Sequence, residues 1–392
     1  MGAVRRIVGS SAAGLAGYAA ARVLTRSRPP GGEIEPDLLG SARGMPRRIR
    51  GPRASTLYTE WFGPDLPSSD GSSGRDFPSS HGSPPQPSPD SSSGGALVFT
   101  HGWCVTESVW HYQKVSLTQG PHALVTWDLP GHGHSSAVAR GRLTLEIAID
   151  ALARVVDEVP HPGIVLVGHS LGGVLSLGYL SRHSETAKRR VRGIVLVATP
   201  LVGMARGTAA RWPGQKAGRS RLLAYGLQLA VESRSVDRWF SRDAGSNDAR
   251  AASYRLIRSG FGPRAAPGVV RFVRDMAASV PPQVRADTFR AMRDFDLRPA
   301  LAELRVPSVL AYGRHDRLVA GEDSLLLASL LPRCRSQEFA ESGHAPFLEE
   351  EQDFNRLVAR FASRRLRSRA RVSTSKHDVR APAAPGRAPV DA

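Results

Sequence analysis

Six residues near the middle of the chain, Gly168-His169-Ser170-Leu171-Gly172-Gly173, carry the sharpest chemical signal in the sequence. They follow the apolar run Ile164-Val165-Leu166-Val167 and precede a second apolar run at 174–180. A serine between glycines at a strand-to-helix junction fits a sharp turn, because bulk at either neighbour would clash with the backbone. Such a turn lifts the hydroxyl clear of the sheet. It also aims the next amide, that of Leu171, from a helix N-terminus towards a developing oxyanion. The other reading of these residues is an ordinary glycine-rich turn. A serine hydroxyl is a weak nucleophile at its own pKa and needs a base within hydrogen-bond reach. Twelve histidines are available for that task.

Four more motifs stand in order around this one. Thr100-His101-Gly102-Trp103 ends one apolar run, and Asp128-Leu129-Pro130-Gly131-His132-Gly133-His134-Ser135 follows the next. Tyr312-Gly313-Arg314-His315-Asp316 and Ser342-Gly343-His344-Ala345-Pro346-Phe347 come late in the chain. Together the five resemble the α/β-hydrolase superfamily, in its serine-nucleophile, esterase- and lipase-like branch, from about residue 55 to 361.

The resemblance implies Ser170 as nucleophile, His344 as base and later acid, and Asp316 as the carboxylate that orients the imidazole. It also implies an oxyanion hole made by the amides of Trp103 and Leu171. The position after Val197-Ala198-Thr199-Pro200 holds no carboxylate, which leaves Asp316 as the acid. Asp128 reads as an acceptor organising its own loop, and His101 as a brace for its own. His132, His134, His169 and His315 read as structural. Cys104 either lines the pocket or is a small buried hydrophobe. Glu349 stands five residues after His344, where an H-x-x-x-x-D acyltransferase signature would need aspartate, so that signature is absent. A serine at the elbow also excludes the carboxylate nucleophile of epoxide hydrolases and haloalkane dehalogenases. The implied reaction is hydrolysis of a carboxylic ester, lipid esters included, through an acyl-enzyme and without a cofactor or metal. A thioesterase, a carbon–carbon bond hydrolase and a haloperoxidase-like perhydrolase would use the same triad. A non-catalytic membrane-associated binding protein is the rival outside enzymes, and the intact triad speaks against it.

Positioning these residues calls for a definite scaffold. Apolar runs at 96–100, 123–127, 163–167, 193–197, 308–312 and 336–339 alternate with helix-length stretches. Unbroken runs of this length suit strands buried on both faces of a parallel sheet. The expected class is therefore α/β, a doubly wound, mostly parallel sheet with an inserted helical lid. The hydrolase domain is drawn over 45–368, with the lid at 201–305, where the strand rhythm stops and aromatic residues recur. Residues 66–94, rich in Ser, Pro, Gly and Asp, read as a disordered loop, and 369–392 as a disordered basic tail.

Of the 392 residues 41% are hydrophobic, enough to exclude a wholly disordered or fibrous chain. Two cysteines exclude a disulfide scaffold and a cysteine-rich zinc site. A Cys104–Cys334 bridge is not expected, because Cys104 follows a central strand and Cys334 precedes the final, outer one. The net charge of +18 invites a nucleic-acid reading, yet the ends at 1–56 and 364–392 hold 13 of those charges. Nucleic acid is therefore not expected as a partner. Arg5 and Arg6 precede an uncharged stretch at 7–21, and Arg22, Arg26 and Arg28 follow it. Residues 1–30 thus have the plan of a leader or membrane anchor, though shorter than the roughly 20 apolar residues of a spanning helix. A cleaved signal and a loose Ala/Gly-rich leader remain the other readings. The expected partners are a small-molecule or lipid ester and, through the N-terminus, a membrane. The expected location is the membrane or cell envelope, with the cytoplasm as the alternative.

Overall fold

Successive residues of a strand point to opposite faces, so an unbroken apolar run needs apolar cover on both sides. A computed structural model describes residues 39–63, 94–203 and 247–366 and meets that requirement. Among them eight strands form one sheet: β1 (Met45–Arg50), β2 (Thr56–Phe62), β3 (Gly94–Thr100), β4 (His122–Trp127), β5 (Ile164–His169), β6 (Val191–Val197), β7 (Ser308–Gly313) and β8 (Cys334–Phe339). Their order is β1-β2-β4-β3-β5-β6-β7-β8. The pairs from β4 to β8 are parallel, while β1–β2 and β2–β4 are antiparallel.

Alternation along the strands divides the interior in two. Ile164, Leu166, Ile194 and Leu196 enter one core, and Val165, Val167, Val195 and Val197 enter the other. α1 (His111–Leu117) contributes Leu117 to the second core. α2 (Leu145–Glu158) and α3 (Leu171–Arg182) cover the first with Leu152, Val156, Leu175 and Tyr179. Thr144 caps α2 by accepting the Ile147 amide at 3.3 Å, a stop to fraying at its first turn. After the short α4 (Ser184–Arg190) come α5 (Asn247–Arg258), α6 (Pro267–Ser279) and α7 (Pro282–Met292), the described helices of the expected lid region. α8 (Gly321–Leu330) adds Leu327 to the first core, and α9 (Glu351–Leu366) adds Phe354, Val358 and Ala362 to the second. Helices on both faces make the sheet doubly wound.

Three details differ from expectation. β1 was not anticipated: Met-Pro-Arg-Arg-Ile-Arg buries only Ile49, which suffices for an edge strand paired on one side. β8 is exposed from Arg335 to Glu338, also because it is an edge, and Cys334 begins it rather than preceding it. Gly94, placed in the expected loop, belongs to β3. Neither cysteine is in a disulfide. The leader at 1–30, the loop through residue 93, residues 204–246 of the expected lid and the tail at 369–392 lie outside the described residues. Among the described residues no helix is long and apolar enough to cross a membrane.

Candidate active site

Strand register gathers the chemistry at one edge. Thr100 pairs with Gly168, His169 with Val197, Val197 with Ala311, and Gly313 with Phe339. The loops after β3, β5, β7 and β8 therefore start level at the carboxyl ends of the strands, where ligands of such sheets bind. Ser170 sits between β5 and α3 with φ 52° and ψ −113°, and its amide donates to the Val197 carbonyl at 2.8 Å. Its neighbours are small by necessity, since a Cβ on Gly172 would run into the Thr100 carbonyl. Leu171 opens α3, so its amide is one of the first-turn donors without a partner inside the helix.

The structure brings together His344 and Asp316, the residues expected as base and acid. His344 Nδ1 donates to Asp316 Oδ2 at 2.8 Å, which leaves the lone pair on Nε2. Asp316 is buried, and its Oδ1 accepts the amides of Leu318 at 2.8 Å and Val319 at 2.9 Å, so the carboxylate cannot rotate freely. Ser170 and His344 line one cavity together with Trp103 and Cys104. Cys104 has φ 61°, and of its two sequence readings the structure gives the cavity wall.

Two further histidines of the motifs, His169 and His101, brace the loops around them. His169 Nε2 donates to the His344 carbonyl at 3.0 Å, and burial, with His344 beside it, holds its pKa well below the usual range. His101 donates from Nδ1 to the Gly102 carbonyl at 2.8 Å and accepts the Leu129 amide on Nε2 at 3.0 Å. Burial keeps it neutral too. Asp128 accepts the amides of Glu107 and His134, each at 2.8 Å, tying the stretch after Trp103 to its own loop. Burial, then the nearby Glu107, pushes its carboxyl up to about 7. Lys114 lies buried beneath, donating to Glu60 at 2.8 Å and to Glu107.

Two contributors escaped the sequence reading. Trp103 was singled out for its amide, yet its indole N–H donates to the Arg285 carbonyl in α7 at 3.0 Å, and its ring packs on Phe289. The buried Arg285 guanidinium donates in turn to Ala277 and Val280 at the end of α6, at 3.0 and 2.7 Å. Glu349 was noted only as not being aspartate. Its carboxylate lies half-buried against the histidine loop, and desolvation there pushes its pKa up to about 7 against the pull of three amide donors. Its place at the head of Glu349-Glu350-Glu351 reads as a solvated charge run, which hid it.

The cavity's other walls are apolar. Leu256 and Ile257 come from the end of α5, Phe261 from the segment that follows it, Val273 and Ala277 from α6, and Met292 and Phe295 from α7 and beyond. Among the described residues that line it there is no Asp, Glu, Lys or Arg.

Residues 97–357 match the Alpha/beta hydrolase family. The chain belongs to the alpha/beta hydrolase family. A pimeloyl-[acyl-carrier protein] methyl ester esterase of Yersinia pseudotuberculosis is 30% identical over 268 residues, covering 68% of this hydrolase and 92% of that protein. The corresponding esterase of Salmonella paratyphi A is 31% identical over 260 residues, 66% of this chain and 90% of its own. Among solved structures, the esterase EaEST from Exiguobacterium antarcticum superposes with a TM-score of 0.62 at 19% identity, covering 81% of this hydrolase and 100% of that chain. That likeness concerns the fold.

Proposed function

We propose that this hydrolase cleaves a carboxylic ester through an acyl-enzyme formed on Ser170, without a cofactor. His344 Nε2 takes the hydroxyl proton as Ser170 attacks the ester carbonyl, and Asp316 stabilises the imidazolium that forms. The amides of Leu171 and Trp103 meet the oxyanion of the tetrahedral intermediate. Its collapse expels the alcohol, which takes its proton from His344. Water, deprotonated by the same imidazole, then releases the acid.

The observation that carries this reading is the hydrogen bond from His344 Nδ1 to Asp316 Oδ2, with His344 and Ser170 on the wall of one cavity. Relatives named as methyl ester esterases support an ester as the substrate. The uncharged described walls support an apolar acyl group of medium or greater length, lipid esters among them, with α5 to α7 serving as the lid. A charged acyl terminus would lose its hydration there without gaining a partner.

The test joins fluorophosphonate labelling to a panel of p-nitrophenyl esters of rising chain length. Ser170→Ala should abolish labelling and lower turnover by roughly four to six orders of magnitude. With the native protein, kcat/KM should rise about fourfold per methylene until the cavity is full, from about 0.8 kcal/mol of burial each. Labelling that survives Ser170→Ala would overturn the nucleophile. A flat chain-length profile would overturn the acyl pocket.

A further inference from the structure

The catalytic histidine is held by its backbone as well as by Asp316, and the backbone contacts come from outside its own loop. His344 N donates to the carbonyl of Gly260 at 2.7 Å, in the segment that links α5 to α6. The carboxylate of Glu349 spans the same junction. Oε1 accepts the Gly343 amide at 2.9 Å and the Ala345 amide at 3.3 Å, the two that flank His344. Oε2 accepts the Gly262 amide at 2.6 Å. The two segments lie so close that a Cβ on Gly262 would collide with the Glu341 carbonyl. The neighbouring Glu350 takes the Ser342 hydroxyl at 2.7 Å and the Glu341 amide at 3.0 Å, closing the start of the loop. The Ser342 carbonyl accepts the His315 amide at 2.9 Å, which carries the brace on to the loop of Asp316.

We infer that Glu349 is a positioning residue for the hydrolytic reaction: its two carboxylate oxygens lock the histidine loop to the segment between α5 and α6, so that the aim of His344 depends on how the helices over the cavity are seated. This rests on the proposed role of His344 as the base. One oxygen alone would fix the loop locally; two oxygens on two segments make the imidazole and the cavity wall at Phe261 move as one body. A glutamine keeps the shape but presents an NH2 to one of the two sets of amide donors, so it can serve only one segment. A misplacement of about 1 Å at a catalytic group can cost on the order of a hundredfold in rate. The loss belongs in kcat, because substrate still fills the same cavity while proton transfer is misaligned.

The experiment compares Glu349→Gln, Glu349→Ala and Ser170→Ala in the full chain on one p-nitrophenyl ester, with calorimetry on each. Glu349→Ala should lower kcat about a hundredfold with KM within roughly twofold of native, and Glu349→Gln should restore part of that loss. A kcat for both Glu349 variants within twofold of native, or a rise in KM at unchanged kcat, would overturn the positioning role. If Glu349→Ala does not fold, the isosteric Glu349→Gln decides alone by the same kcat and KM criteria. Ser170→Ala separates the two ideas: were it active, the underlying reading would fall. Were it inactive while the Glu349 variants matched native, only the role of Glu349 would fall.

Discussion

Around the triad, single residues are arranged so that charge is confined to places that need it. His101 and His169 are kept neutral by burial, so neither competes with His344 for the role of cation. Asp128 shows the cost of that economy, since burial lifts its carboxyl from 3.8 to about 7. Between those values the folded chain binds more protons at Asp128 than the unfolded chain does. Stability from this group is therefore fully present below pH 4 and is lost as pH rises through about 7. Asp128→Asn removes that titration while keeping one amide acceptor. The melting temperature of the variant, relative to native, should rise from pH 5 to about pH 7 and level off above it by calorimetry. A difference that stays constant across that range would mean Asp128 is charged throughout. The candidate triad was legible because Ser170, His344 and Asp316 each sit in a recognisable string of neighbours. Glu349 and Arg285 were not, because a charge held by backbone amides or carbonyls looks in sequence like any surface charge.

The elements divide the same way. Strands buried on both faces declared themselves as unbroken apolar runs, and β5 with its glycine-flanked turn marked where Ser170, the proposed nucleophile, stands. The edges did not, since β1 spends one apolar residue on the core and carries arginine elsewhere. The packing of α6 and α7 on the loop after β3 was also hidden, because it rests on a tryptophan side chain meeting a carbonyl 182 positions away. That contact makes a definite expectation. Trp103→Phe keeps the ring packing on Phe289 but loses the hydrogen bond to α7, worth about 0.5–1.5 kcal/mol. If the tie steadies the Trp103 amide, kcat should drop about three- to tenfold. That is less than the hundredfold or more expected for removing an oxyanion donor outright. A fall in melting temperature with kcat intact would assign the tie to stability alone.

At the scale of the whole molecule, the described residues of the candidate site lie within 94–203 and 247–366, whereas most of the net charge lies near the ends. Activity and surface attachment should therefore separate cleanly. Removing residues 1–30 should leave kcat/KM on a soluble ester within about twofold. The full chain should sediment with anionic vesicles, at about 1 kcal/mol per basic residue near the surface, and raising salt should release part of it. Vesicle binding that is absent at low salt with residues 1–30 attached would remove the membrane reading and leave the hydrolase untouched.

The uncharged lining of the cavity bears on how a catalytic cycle ends. On the proposed mechanism an uncharged ester enters, and the acid released from Ser170 would ionise at neutral pH. Among the described residues no Lys or Arg on the wall offers that carboxylate a permanent cation. The product thus becomes ill suited to the cavity by the very step that creates it, and water outside is its better solvent. The free acid should inhibit far more weakly than an uncharged amide of the same chain length, and inhibition constants for the two compared at pH 8 and pH 5 would show it, with the acid gaining affinity as it is protonated. Hydrolysis here would be made one-way by solvation as much as by the excess of water.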